Sequence, residues 1–221
     1  MNPNNNNDRY FYADDMPPQA SLRIEKAIWR GIHSVRLQTG LNKAVSVRVC
    51  LFKKLDKNPL SIPGHFLSYG NTTKYNITIW IFPKLLASRN FFRMTAGTGI
   101  HEYVHYLRYQ FCVLQGSTTV LEQAIEEGIA IYVQTTLSQA PNYLGLRTLN
   151  EHMVRICWDK LSAALNDPLG KHPTILRTQV YREVYYRIGF GIVRRFMDEH
   201  PRISLAGLIK MRRQRLKQFA V

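Results

Sequence analysis

The chain has 221 residues, 45% of them hydrophobic and 20% charged, with 13 Gly, 10 Pro and 3 Cys, a balance that excludes a disordered, collagenous or disulfide-framework protein. Thirty Lys and Arg against 15 Asp and Glu give a formal charge of +15 and a pI near 10, a bias toward nucleic acid, anionic membrane surfaces or acidic protein partners. No run approaches the ~20 apolar residues of a membrane span, and the first turns of the chain hold no apolar signal-peptide centre, so the expected location is cytoplasmic.

Residues 1–18 are Asn-rich and polar and end in Pro17-Pro18. They are expected to form a disordered polar tail, because such a composition buries too little apolar surface to offset its ordering entropy. Residues 19–221 are expected to be a single domain. From Ala20 to about Thr39, Leu22, Ile24, Ile28, Ile32 and Val35 recur at near-helical spacing with Arg23, Lys26, Arg30 and Arg36 between them, which predicts a basic amphipathic helix stopped by Gly40. Two alternating runs follow, Ala44 to Phe52 and Tyr75 to Phe82, each predicting a strand with one buried face. Turn residues lie between them, with room for a further short strand around His65 to Tyr69.

Beyond Pro83 the period becomes helical. Met94, Gly97, Ile100, Val104, Leu107 and Phe111 form one apolar stripe, and Gly97-Thr98-Gly99 is read as letting this helix start close to the sheet. Thr119 with Glu122 is a capping box that opens a second helix to about Leu137. Further helices are predicted over Leu149 to Leu165, Ile175 to Glu199 and Ser204 to Phe219, the last carrying Lys210, Arg212, Arg213, Arg215 and Lys217. Strands first and helices afterwards predict an α+β fold. Cys50, Cys112 and Cys157 include no CxxC pair and are read as idle or buried thiols.

Within the first strong helix stands His101-Glu102-Tyr103-Val104-His105, an HExxH. Residues four apart on a helix share one side, so both imidazoles can reach one metal, while Glu102 is rotated far enough to touch a metal-bound water without ligating the metal. A zinc site with two His needs a third protein ligand, and the next helix offers Glu122, Glu126 and Glu127. Arg108 falls beside His101 and His105 on the helix face next to the apolar stripe. His33, His65, His152, His172 and His200 have no partners at ligand spacing and are read as satisfied or solvent-facing.

HEYVHYLR followed by LEQAIEEGIAIYV resembles the gluzincin metallopeptidases, closest to a group of predicted zinc-dependent proteases reading HEYHH and then SEGLAEHF. Aminopeptidase-N-like and thermolysin-like enzymes are more distant relatives of the pattern. A later block, VYREVYYRIGFGIVRRFMDEH, is similar to that group's Tyr-x-x-Gly-(Tyr/Phe)-x-Ile-Val helix, so the resemblance spans about Ile77 to Glu199. It implies a zincin-like fold with a small, mostly antiparallel N-terminal sheet, an active-site helix and a helical C-terminal part. It further implies a zinc metallopeptidase in which His101, His105 and Glu127, the Glu preceding Gly128, ligate Zn2+. Glu102 would be the general base, and Tyr186, with Tyr185 and Tyr181 as alternatives, the donor to the oxyanion. Glu126 is read as a solvated neighbour. Twenty-one residues separate His105 from Glu127, a spacing that the turn at Gln115-Gly116-Ser117 is expected to absorb. A peptide or protein substrate would pair as an extended strand with the Tyr75 to Phe82 run, which resembles the edge strand zincins use for this, the plainer reading being an ordinary edge or core strand. The competing reading takes the +15 charge first: a basic nucleic-acid-associated or scaffold protein with a structural or inactive zinc site.

Overall fold

The computed structural model describes residues 9–14, 16–51, 68–73, 75–82, 86–111, 119–138, 146, 149–168, 171 and 179–220. Side chains of 9–14, 68–71 and 179–182 are outside that description. The two alternating runs form strands at Val45–Leu51 (β2) and Asn76–Ile81 (β4), burying Val45, Val47 and Val49 on one and Ile77, Ile79 and Ile81 on the other. Strands at Arg9–Asp14 (β1) and Ser68–Thr72 (β3) complete a four-stranded sheet of order β1-β2-β4-β3. The α+β class holds.

Three sequence expectations change here. The sheet is mostly parallel, because β1 pairs parallel with β2 and β2 with β4, and only β3 runs antiparallel to β4. The cause is connectivity: β1 leads into a helix that carries the chain back, which makes its strands parallel, whereas β3 and β4 pair antiparallel as a hairpin in which Thr73 N–H donates to Asn76 O at 2.9 Å. Second, Arg9 to Asp14 is a strand rather than part of a tail, with Arg9↔Val45 to Asp14↔Cys50 in register; its RYFYAD sequence is rich in strand-forming aromatics. Third, β4 lies inside the sheet, and β3 is the edge next to it.

The first helix spans Pro18–Thr39 (α1), with Pro at its first position and Gly40 in the left-handed conformation at its end (φ 67). The HExxH helix is Phe91–Gln110 (α2). It packs on α1 at glycines: a Cβ on Gly99 would stand 2.8 Å from Ile28 O, and one on Gly31 would strike Ala96 O. The Gly97 to Gly99 segment therefore serves the approach to α1, midway along α2, and not a start at the sheet.

Next comes Val120–Leu137 (α3), opened by the predicted capping box with Thr119 and Glu122 bonded reciprocally at 3.2 Å. Glu151–Leu161 (α4), a 3-10 turn at Ser162–Ala164 and Gln179–Glu199 (α5) follow. α3 and α5 touch backbone to backbone, since a Cβ on Gly128 would meet Gly189 and one on Gly189 would meet Ala124 O. The single terminal helix predicted over Ser204 to Phe219 is two, Leu205–Lys210 (α6) and Arg213–Lys217 (α7), broken where Met211 and Arg212 are extended.

One apolar core joins the sheet's covered face to α1, α2, α3 and α5, with Leu208, Ile209, Met211 and Leu216 closing its end. A smaller cluster of Ile131, Leu146, Leu149, Val154 and Phe190 lies between α3, α4 and α5. No described helix is long and apolar enough to cross a membrane.

Candidate metal centre

Ile100, Val104 and Leu107 anchor α2 in the core, which turns His101 and His105, one helical turn apart, toward α3. There they meet Glu127. His101 Nε2 lies 3.1 Å from Glu127 Oε2, His105 Nε2 lies 3.4 Å from the same oxygen, and the two Nε2 atoms are 3.1 Å apart. Two imidazole nitrogens and one carboxylate oxygen thus converge within 4.8 Å of one another, the only such cluster among the described residues. The Gly128–Gly189 contact sets the depth of α3 next to this point, since Gly128 follows Glu127 directly.

The donor set fits a tetrahedral cation such as zinc on three counts. Two His and one carboxylate are an ordinary ligand set that leaves a fourth position open. Two of the three donors are also tied by their far atoms: His101 Nδ1 is 3.2 Å from Gln134 Oε1, and Gln123 Nε2 donates to Glu127 Oε1 at 3.0 Å. With its proton on Nδ1, His101 presents a bare Nε2 lone pair, and Glu127 keeps Oε2 free for the same point. Third, the electrostatics favour positive charge there. Burial works against a charged His105, but the Glu127 carboxylate, with Glu102 and Glu126 nearby, outweighs it and lifts the imidazole from 6.5 to about 9. Burial likewise works against a charged Glu127, yet the two histidines hold its carboxyl well below the usual range. A shared proton and a bound cation would neutralise this cluster in the same way.

Glu102 is 5% exposed, and its Oε2 accepts from Thr72 Oγ1 at 2.6 Å. The same hydroxyl lies 3.1 Å from Glu102 O, so the last residue of β3 holds both ends of the proposed base. β3 is thereby fixed beside the centre.

The other two acids of α3 are engaged by cations away from this cluster. Glu122 caps the helix and pairs with Lys217 Nζ at 2.7 Å and Arg213 Nη2 at 3.5 Å. Glu126 is 2% exposed rather than solvated, gripped by Arg108 through Nε–Oε2 at 2.5 Å and Nη2–Oε1 at 2.7 Å. Arg108 is itself fully buried and donates through Nη1 to Ile209 O at 2.8 Å and Met211 O at 3.0 Å. It therefore faces the interior beneath the histidines, not the open face with them. This also explains the break between α6 and α7, because the carbonyls that bond Arg108 lie where that helix stops.

Tyr186 sits on α5, edge-on to Tyr185 with ring centroids 4.7 Å apart, and packs against both apolar clusters. Tyr185 is buried, and the Tyr181 side chain lies outside the described residues. Of the other histidines, His33 and His152 are exposed and His200 Nδ1 lies 2.9 Å from Phe196 O. His65, His172 and the Gln115 to Ser117 turn lie outside the described residues. Gln123, Gln134 and Thr72 were missed in the sequence. The two glutamines carried a signal, since at four and seven residues from Glu127 both fall on its side of the helix. Thr72 carried none.

No protein-family model, no curated protein and no solved structure matches the chain.

Proposed function

We propose that the chain is a zinc-dependent peptidase of zincin-like build, in which His101, His105 and Glu127 hold the ion and Glu102 is the general base. The observation that carries this reading is the convergence of His101, His105 and Glu127 on one point, with the buried Glu102 carboxylate on the same helix. When bound, the ion supplies Lewis acidity toward a carbonyl oxygen and acidifies water. Glu102 takes a proton from the attacking water as its oxygen joins the peptide carbonyl carbon. It then returns that proton to the amide nitrogen as the C–N bond breaks, leaving a carboxylic acid and an amine, between which the acid's proton passes to give carboxylate and ammonium. Thr72 orients Glu102, and a hydroxyl on α5, Tyr186 foremost, donates to the oxyanion. The substrate backbone pairs with β3, the edge strand tied to the base, in place of β4.

Metal analysis by mass spectrometry of wild type, His105→Ala and Glu127→Ala, followed by cleavage of a peptide library, tests the reading. One zinc per chain, lost in both variants, with cleavage abolished in a Glu102→Gln protein that keeps its zinc, is the expected pattern. Failure to take up zinc on reconstitution, or cleavage that survives Glu102→Gln, overturns it.

A further inference from the structure

α1 and α2 lie side by side, and their N-terminal halves form a face of one sign. Arg23, Lys26 and Arg30 are exposed along one ridge of α1, and Arg89 and Arg93 are exposed at the start of α2. The two rows are locked together by stacking: the Arg23 guanidinium lies 4.8 Å from the Phe91 ring centroid and that of Arg30 lies 5.5 Å from Phe92. Phe92 itself is 37% exposed. None of the five cations has an ion-pair partner among the described residues, and neither helix has an acid in its first turn. Glu25 is the one acidic residue of α1. Elsewhere the chain does pair its cations when acids are at hand, as Arg108, Arg195, Arg213 and Lys217 show.

We propose that this face is a docking surface for the phosphate backbone of nucleic acid. Arg23 to Arg30 spans eight residues of helix, a ridge about 10 Å long, and four successive phosphates of one strand rise about the same distance. Four of the five cations are arginine, whose planar fork suits phosphate oxygens, and stacking on the rings holds two of them in place before any partner arrives. A membrane surface is the poorer fit, because helices that lie on lipid insert an apolar face, and here Ile24, Ile28, Ile32 and Val35 are turned inward and buried. The proposal is independent of the metal centre.

Fluorescence anisotropy with a labelled mixed-sequence oligonucleotide, single-stranded and duplex, tests it across a salt series. The variants are Arg23→Ala/Lys26→Ala/Arg30→Ala and a charge-matched control, Arg155→Ala/Lys160→Ala/Arg202→Ala, which removes three exposed cations elsewhere. Circular dichroism melts establish that both remain folded. The expected result is a loss of roughly tenfold or more in affinity for the first variant, with the log–log salt slope shallower by about 2 for the single strand and about 3 for the duplex, and less than about a twofold loss for the control. Equal losses in the two variants, absence of oligonucleotide binding by the wild type at low salt, or binding to phosphatidylserine vesicles alone overturns the proposal.

Discussion

Gln134 shows how much of the centre depends on side chains that never touch the cation. By accepting from His101 Nδ1 it selects the tautomer whose Nε2 faces Glu127, so Gln134→Leu is expected to weaken zinc affinity by about 10–100-fold. Competition with a fluorescent chelator measures this, and unchanged affinity would remove Gln134 from the site. His105 sets the pH response. Its folded value is raised from 6.5 to about 9, so its contribution to the metal-free fold is full below 6.5 and is lost as pH rises toward 9. Zinc binds the neutral ring, and uptake therefore expels that proton: calorimetry in buffers of different ionisation enthalpy is expected to show about one proton released per zinc near neutrality, with affinity climbing toward pH 9. The histidines were legible in the sequence because their geometry is local, a single helical turn. Glu127 was legible through the resemblance, and the glutamines could have been found from their helix face. Thr72 was not, since its place next to Glu102 depends on the β3–β4 register, in which it sits opposite Ile77, and on how that hairpin meets α2.

At the level of elements, glycine and buried charge set the spacing. Gly189 lets α5 lie against Ala124 and Gly128; Gly189→Ala pushes the helices apart and is expected to cost about 1–3 kcal/mol or more, read as a lower melting temperature. Gly207→Ala is the contrast, because its Cβ would find only ordinary contacts at 3.4 and 3.5 Å, and no loss is expected. Arg108→Met leaves Glu126 charged and alone in the core, for an expected loss of about 3–5 kcal/mol. Adding Glu126→Leu should restore part of it, and a double variant no better than the single would dismiss the unpaired charge as the cause. Arg108 was misplaced in the sequence because position on α2 alone puts it near His105; only the arrival of Glu126 from α3 and of two carbonyls at the C-terminal end of α6 shows which way it points. β1 went unseen for a related reason, as the Asn-rich residues before it masked six that gain partners only when β2 lies alongside.

Across the whole molecule, the centre bridges α2 and α3, two parts of one core, so a bound cation is expected to stabilise the fold globally. A ligand present at a hundred times its dissociation constant contributes about 2.7 kcal/mol. Chelation is expected to lower the melting temperature of the wild type and to leave Glu127→Ala unchanged; equal shifts in both would place the stabilising metal elsewhere. The Arg108 bonds also bear on the order of assembly. They reach across 101 and 103 residues to Ile209 O and Met211 O, and contacts so distant in sequence are slow to form. During synthesis both helices that supply the proposed ligands leave the ribosome long before those carbonyls exist, so the nascent chain carries a guanidinium whose neutral acceptors have yet to be translated. The buried surroundings of the cluster are therefore complete only after the segment carrying Ile209 and Met211 has been made and has folded back onto Arg108.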